Sequence, residues 1–147
     1  MAENRLRLLI AEDDAAIREC LCLVLQLDYE IAAAVDNGPE VLQKIEKIQP
    51  DILLLDISLP GMSGVKVARY LRRTGNITRI IFLTGYTEAA YVEEAERIGV
   101  EGYVLKRRAQ SELRIAIQQV SEGKSYISPE VQQSRGPGGR AASAGPG

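Results

Sequence analysis

The strongest constraint on this chain is an alternation: five apolar runs of strand length, each followed by a segment of helical periodicity. Leu6 to Ala11 reads as a first strand, and Ile17, Leu21, Val24 and Leu25 then recur at helical spacing. Ile31 to Val35 is a second strand, ended by Asn37-Gly38-Pro39. Val41, Leu42, Ile45 and Ile48 form the next helix face, which Pro50 stops. Ile52 to Leu55 is a third strand, and Val65, Ala68 and Leu71 mark a helix after the loop Ser58 to Gly64. Ile80 to Leu83 is a fourth strand. Thr87 is expected to cap the helix that carries Tyr91, Ala95 and Ile98, with Gly99 ending it. Tyr103 to Leu105 is a fifth strand, and Ser111 is expected to cap a last helix bearing Leu113, Ala116, Ile117 and Val120.

Several of these strands are apolar on consecutive residues, as strands are when helices cover both faces of a sheet. The expected fold is therefore a doubly wound α/β domain on a parallel sheet. Residues 1–123 would form that domain, 124–131 a linker-like segment, and 132–147 a disordered tail rich in Gly, Ala, Ser and Pro.

Composition removes several functions. Histidine is absent, which excludes a Ser/His triad, histidine-ligated metal and a histidine phosphocarrier. The formal charge of −2, with no basic patch, gives no footprint for nucleic acid. The longest apolar run, Leu21 to Leu25, is too short to span a membrane. Glu12, Asp13 and Asp14 follow the first apolar run at once, unlike a secretory signal, so a cytoplasmic location is expected. Cys20 and Cys22 stand two apart, do not face each other on a helix, and read as small core residues.

The chemistry collects behind the strands. Glu12, Asp13 and Asp14 follow the first, Asp56 the third, Thr84 the fourth and Lys106 the fifth. A parallel sheet would bring all of them to one edge, where doubly wound folds carry their sites. Carboxylates crowded together repel unless a cation joins them, and hard oxygen ligands suit Mg²⁺ beside a phosphate. A lysine and a hydroxyl would complete a phosphoryl site in which a carboxylate is itself the nucleophile. Glu12 is expected to lie behind the acidic pair as a solvated charge. Asp36 reads as a turn residue at the sheet edge, and Pro60-Gly61 as loop chemistry beside the acceptor.

The stretches LLIAEDD, ILLLDISLPGMSG, IIFLTGYT and GYVLK resemble the response-regulator receivers of two-component signalling, over roughly residues 5 to 122. That resemblance implies a flavodoxin-like (βα)5 fold with strand order 2-1-3-4-5. It implies Asp56 as phosphoacceptor, Asp13 and Asp14 with Asp56 and the Ser58 carbonyl as the Mg²⁺ shell, and Lys106 and Thr84 at the phosphoryl oxygens. It also implies Tyr103 as an aromatic switch that swings inward on phosphorylation, with Ser58 and Tyr86 tuning hydrolysis of the aspartyl phosphate. The partner would be a histidine kinase or phosphotransfer protein, with homodimerisation on activation; the chain would be a phosphoryl acceptor rather than an enzyme.

Arg107 and Arg108 replace the proline that often follows the lysine. With the segment through SYISPEV, this looks more like receivers that precede a LuxR-type helix-turn-helix. The residues after Val131 are not expected to build such a domain, so an isolated or truncated receiver that binds no nucleic acid is expected.

Three other readings fare worse. Haloacid-dehalogenase-type phosphatases need a second carboxylate two residues after the nucleophile, where this chain has Ser58. A nucleotide- or flavin-binding module would open on a phosphate loop, where this chain has three acids. A pseudo-receiver that only binds partners would lack one of the five residues.

Overall fold

The structure, a computed structural model, describes residues 5–132. Apart from Gln132, the expected disordered tail lies outside the described residues. Five strand–helix units follow in order: β1 (Arg7–Ala11), α1 (Ala15–Leu25), β2 (Glu30–Val35), α2 (Gly38–Ile48), β3 (Ile52–Asp56), α3 (Gly64–Arg73), β4 (Arg79–Thr84), α4 (Ala89–Ile98), β5 (Gly102–Leu105) and α5 (Ala109–Ser121). A sixth strand, β6 (Tyr126–Ile127), ends the set. The sheet runs β2-β1-β3-β4-β5-β6 with every pairing parallel, so the expected doubly wound order is present with one strand added.

Alternate strand residues feed two cores. Leu9, Leu53, Leu55, Phe82, Tyr103 and Leu105 face one side and pack with Val41, Ile45, Val67, Leu71 and Val92 from α2, α3 and α4. Leu8, Ile10, Leu54, Ile81, Leu83 and Val104 face the other and pack with Leu21, Leu25, Leu113, Ile117 and Val120 from α1 and α5. Burial on both faces is why the strands read as continuous apolar runs.

Residues 124–131 are not a linker. β6 extends the sheet beyond β5, pairing Gly102 with Tyr126 and Tyr103 with Ile127. Ser128 and Val131 are fully buried. The Ser128 N–H donates to the Tyr103 carbonyl at 2.9 Å, and its hydroxyl accepts from the Leu105 N–H at 3.0 Å while donating to Glu112 Oε1 at 2.5 Å. A two-residue strand is too short to show any periodicity, so it is invisible in the pattern.

Three local expectations are corrected. The N-cap position of α4 is Glu88, which makes no side-chain cap bond, rather than Thr87. α5 starts at Ala109, straight after a 3-10 turn over Lys106–Arg108, so Ser111 sits inside its first turn and donates to the Arg108 carbonyl. Cys20 is exposed on α1 and Cys22 half-buried, so the first is no core residue. Among the described residues no helix is long and apolar enough to cross a membrane.

Candidate functional site

The parallel sheet sends the carboxyl ends of β1, β3, β4 and β5 to one edge. Asp56 is the last residue of β3 and only 2% exposed. Its Oδ1 accepts from the Ser58 N–H at 2.9 Å, and its Oδ2 faces Lys106 Nζ at 3.1 Å. The loop can close this tightly because of Gly64. A Cβ there would lie 2.3 Å from the Asp56 carbonyl oxygen and 2.8 Å from the Ile57 Cα, so only glycine lets α3 begin against the acceptor strand.

Glu12 follows β1 and is fully buried. Its Oε2 accepts from the Asp14 N–H at 3.0 Å, and Arg18 holds its carbonyl at 2.8 Å. Lys106 Nζ stands 3.0 Å from Glu12 Oε1, so one ammonium bridges two buried carboxylates. Burial first, and then the charge of Asp56, push the Glu12 carboxyl above its ordinary value, against lowering by the Asp14 N–H and Lys106. Burial pulls the Lys106 ammonium down, but the hydrogen bonds and charges of Glu12 and Asp56 outweigh it and leave its pKa raised.

Glu12, Asp13 and Asp56 each bring one carboxylate oxygen to within 4.8 Å of the others. Although Glu12 Oε1 is close to Lys106, it has no hydrogen bond of acceptable geometry, and it is buried. A buried oxygen that faces the Lys106 ammonium but accepts no hydrogen bond, among three hard oxygen donors, fits a small divalent cation such as Mg²⁺. This corrects the expected acidic pair. Asp14 is the N-cap of α1, its side chain accepting from the Ile17 N–H at 3.0 Å, and it is not among the three carboxylates that converge. Glu12, read as a solvated charge, takes the place beside Asp13. The signal was present: Asp14 stands three residues before Ile17, the spacing of a capping residue.

Thr84 ends β4 and is 1% exposed, its Oγ1 accepting from the Tyr86 N–H at 3.0 Å. Tyr103 on β5 is buried, meets Phe82 edge-on at 6.3 Å, and donates its hydroxyl to the Tyr86 carbonyl at 2.8 Å. Burial, then the charge of Glu88, push its phenol far above the ordinary value. The inward position expected of the phosphorylated state is thus already occupied. Above the site, the Ser58 hydroxyl bonds the Tyr86 hydroxyl at 3.1 Å, and the Tyr86 ring stacks on Tyr91 with centroids 4.4 Å apart. Ser58 and Tyr86 are expected here from the sequence; Tyr91 is expected only on a helix face.

Residues 8–118 match the family described as the response regulator receiver domain. The chain is 36% identical over 128 residues to YvfU of Bacillus subtilis, an uncharacterized transcriptional regulatory protein, covering 86% of this chain and 64% of that protein. It is 35% identical over 126 residues to the transcriptional regulatory protein DesR of the same organism, covering 84% of this chain and 62% of that protein. It therefore spans somewhat under two thirds of the length of these relatives. Among solved structures, a LuxR-family DNA-binding response regulator from Staphylococcus aureus superposes with a TM-score of 0.74 at 36% identity, covering 79% of this chain and 98% of that one. A LuxR-family two-component response regulator from Aurantimonas superposes with a TM-score of 0.83 at 26% identity, covering 88% and 94%.

Proposed function

The chain belongs to the response regulator receiver family, and we propose that it takes a phosphoryl group on Asp56 from a partner histidine kinase, in an Mg²⁺-dependent reaction. The observation that carries this reading is the shared ammonium. Lys106 stands within 3.1 Å of both Asp56 and Glu12, with a buried Glu12 oxygen left without a hydrogen bond beside Asp13.

Asp56 attacks phosphorus in line while the kinase histidine leaves with its bonding electrons. Ser58 N–H holds one Asp56 oxygen and leaves the other facing Lys106. Lys106 moves from carboxylate to phosphoryl oxygen without leaving the cleft. Glu12, Asp13, Asp56 and the Ser58 carbonyl would hold Mg²⁺, which supplies the remaining charge neutralisation at the phosphoryl oxygens. Thr84 then donates a hydrogen bond from its hydroxyl to a phosphoryl oxygen. The Tyr86 backbone, bonded to Thr84 Oγ1 and to the Tyr103 hydroxyl, follows it. The change biases a population between two states of the α4–β5 surface. A cytoplasmic location, a role as acceptor rather than enzyme, and dimerisation in the active state belong to the same reading. So does an output on transcription, as the names of the relatives indicate for those proteins.

The test is incubation with Mg²⁺ and acetyl phosphate, followed by intact mass. One added phosphoryl group is expected, absent in Asp56→Ala and without Mg²⁺. No Asp56-dependent addition would turn the chain into a partner-binding pseudo-receiver. Sizing with and without a beryllofluoride mimic tests dimerisation, and an unchanged elution volume counts against it.

A further inference from the structure

Two loops border the mouth of the acceptor cleft, and one hydrogen bond joins them. Ser58 lies two residues after Asp56, and its N–H holds Asp56 Oδ1. Tyr86 lies two residues after Thr84, and its N–H donates to Thr84 Oγ1. Their hydroxyls meet at 3.1 Å, closing a bridge from the β3–α3 loop to the β4–α4 loop. Ser58 and Tyr86 are both exposed, so a bridge of this kind opens easily unless something holds the ring. Tyr91 does so. Its ring lies nearly parallel to that of Tyr86, 11° between planes, and Tyr91 is itself anchored against the core under α4.

We propose that Tyr91 is a positioning residue for the phosphoryl site: by stacking on Tyr86 it holds the Tyr86–Ser58 bridge shut over Asp56 and lengthens the life of the aspartyl phosphate. This rests on phosphorylation of Asp56. The step it controls is hydrolysis. A water oxygen bonds to phosphorus, and the bond from phosphorus to the Asp56 carboxylate oxygen breaks. The carboxylate keeps the electron pair, and the water proton leaves to solvent as inorganic phosphate departs. In-line geometry makes that water enter opposite the carboxylate, through the mouth the bridge spans. Tyr91 touches neither phosphorus nor water; it sets how often the mouth is open.

The experiment loads the chain with acetyl phosphate and Mg²⁺, removes the donor and follows the phosphorylated mass with time. Tyr91→Leu keeps the apolar volume against the core and removes the stack. Its phosphoryl group should be lost about two- to tenfold faster, the range that an aromatic pair contributes when converted to a rate. Tyr91→Phe keeps the stack and should restore the wild-type lifetime. In a Tyr86→Ala background, Tyr91→Leu should add nothing, because the ring it holds is gone. Loading should be no slower in Tyr91→Leu, whereas a merely damaged fold would load slowly. An unchanged lifetime in Tyr91→Leu, a Phe variant as fast as Leu, or an equal effect without the Tyr86 ring would each overturn the proposal. Failure of the wild-type chain to load is a different result: it removes the phosphoacceptor reading and the gate with it.

Discussion

The two ends of the parallel sheet differ in how their charges are met. At the amino ends of β1, β3 and β4 lies a concavity of about 540 Å³, lined by Leu6, Pro50, Asp51, Asn76, Ile77 and Arg79. At the carboxyl ends lies the acidic cleft around Asp56. The amino end is electrically quiet. Asp51 accepts from the Arg7 N–H at 2.8 Å, Asn76 accepts from the Thr78 N–H at 2.8 Å, and Arg79 donates to the Ser121 carbonyl at 3.0 Å. These three polar groups serve the fold. The acidic end keeps two buried carboxylates on one ammonium and one oxygen without a hydrogen bond. A concavity alone does not make a reactive site; charge held out of water does.

The comparison breaks most sharply at the acceptor. Asp56→Ala is expected to abolish labelling by acetyl phosphate, and labelling that persists would move the site elsewhere. Next comes Lys106→Ala. It removes the cation that both buried carboxylates face, and labelling should slow by about 10²–10³-fold, the scale for losing one charge-stabilising donor. A rate within a few-fold of wild type would mean that Lys106 serves only the fold.

Glu12→Gln separates stability from function. The Glu12 carboxyl is raised in the folded chain, so its favourable contribution is present below its ordinary value and is lost as pH rises through the folded value. At neutral pH its charge therefore opposes folding. Glu12→Gln should raise the stability of the metal-free chain at neutral pH, with the gain shrinking as pH falls into the carboxylate range. The same change should weaken Mg²⁺ binding by at least about tenfold. Melting across pH and metal titration check both, and a destabilised variant with unaltered Mg²⁺ affinity would contradict the assignment. The smallest effect belongs to the quiet end. Asp51→Ala loses one hydrogen bond to Arg7 and should cost about 1 kcal/mol with labelling unchanged; altered labelling would show the two ends to be coupled.

Much of the busy end was legible in the sequence, for a physical reason. In a parallel sheet every strand delivers its carboxyl end to the same edge, so residues that follow apolar runs meet there without further information. Asp56, Thr84 and Lys106 needed only that rule. The acidic pair needed one more piece of geometry, which residue heads the helix, and there the reading slipped by one. Asp14 went to the metal and Glu12 to solvent, whereas helix capping takes Asp14 and leaves Glu12 buried. Tyr91 was not legible as part of the site, because helical spacing reports which face a residue occupies and not what that face meets across a loop. β6 was lost for want of length, since two residues carry no period.

β6 also has a consequence for how the chain meets other copies of itself. An uncovered strand is a template on which a foreign strand can add, and proteins guard such edges. Here the segment after α5 occupies that template: the Tyr103 carbonyl and the Leu105 N–H are both taken by Ser128. Growth of the sheet past β5 would first have to peel away a fully buried serine and valine. The other margin, β2, begins on exposed Glu30 and has no such cover from a neighbouring strand. Of the two margins among the described residues, β2 therefore offers foreign strands the longer template, six residues against the two of β6, on the side farther from Lys106.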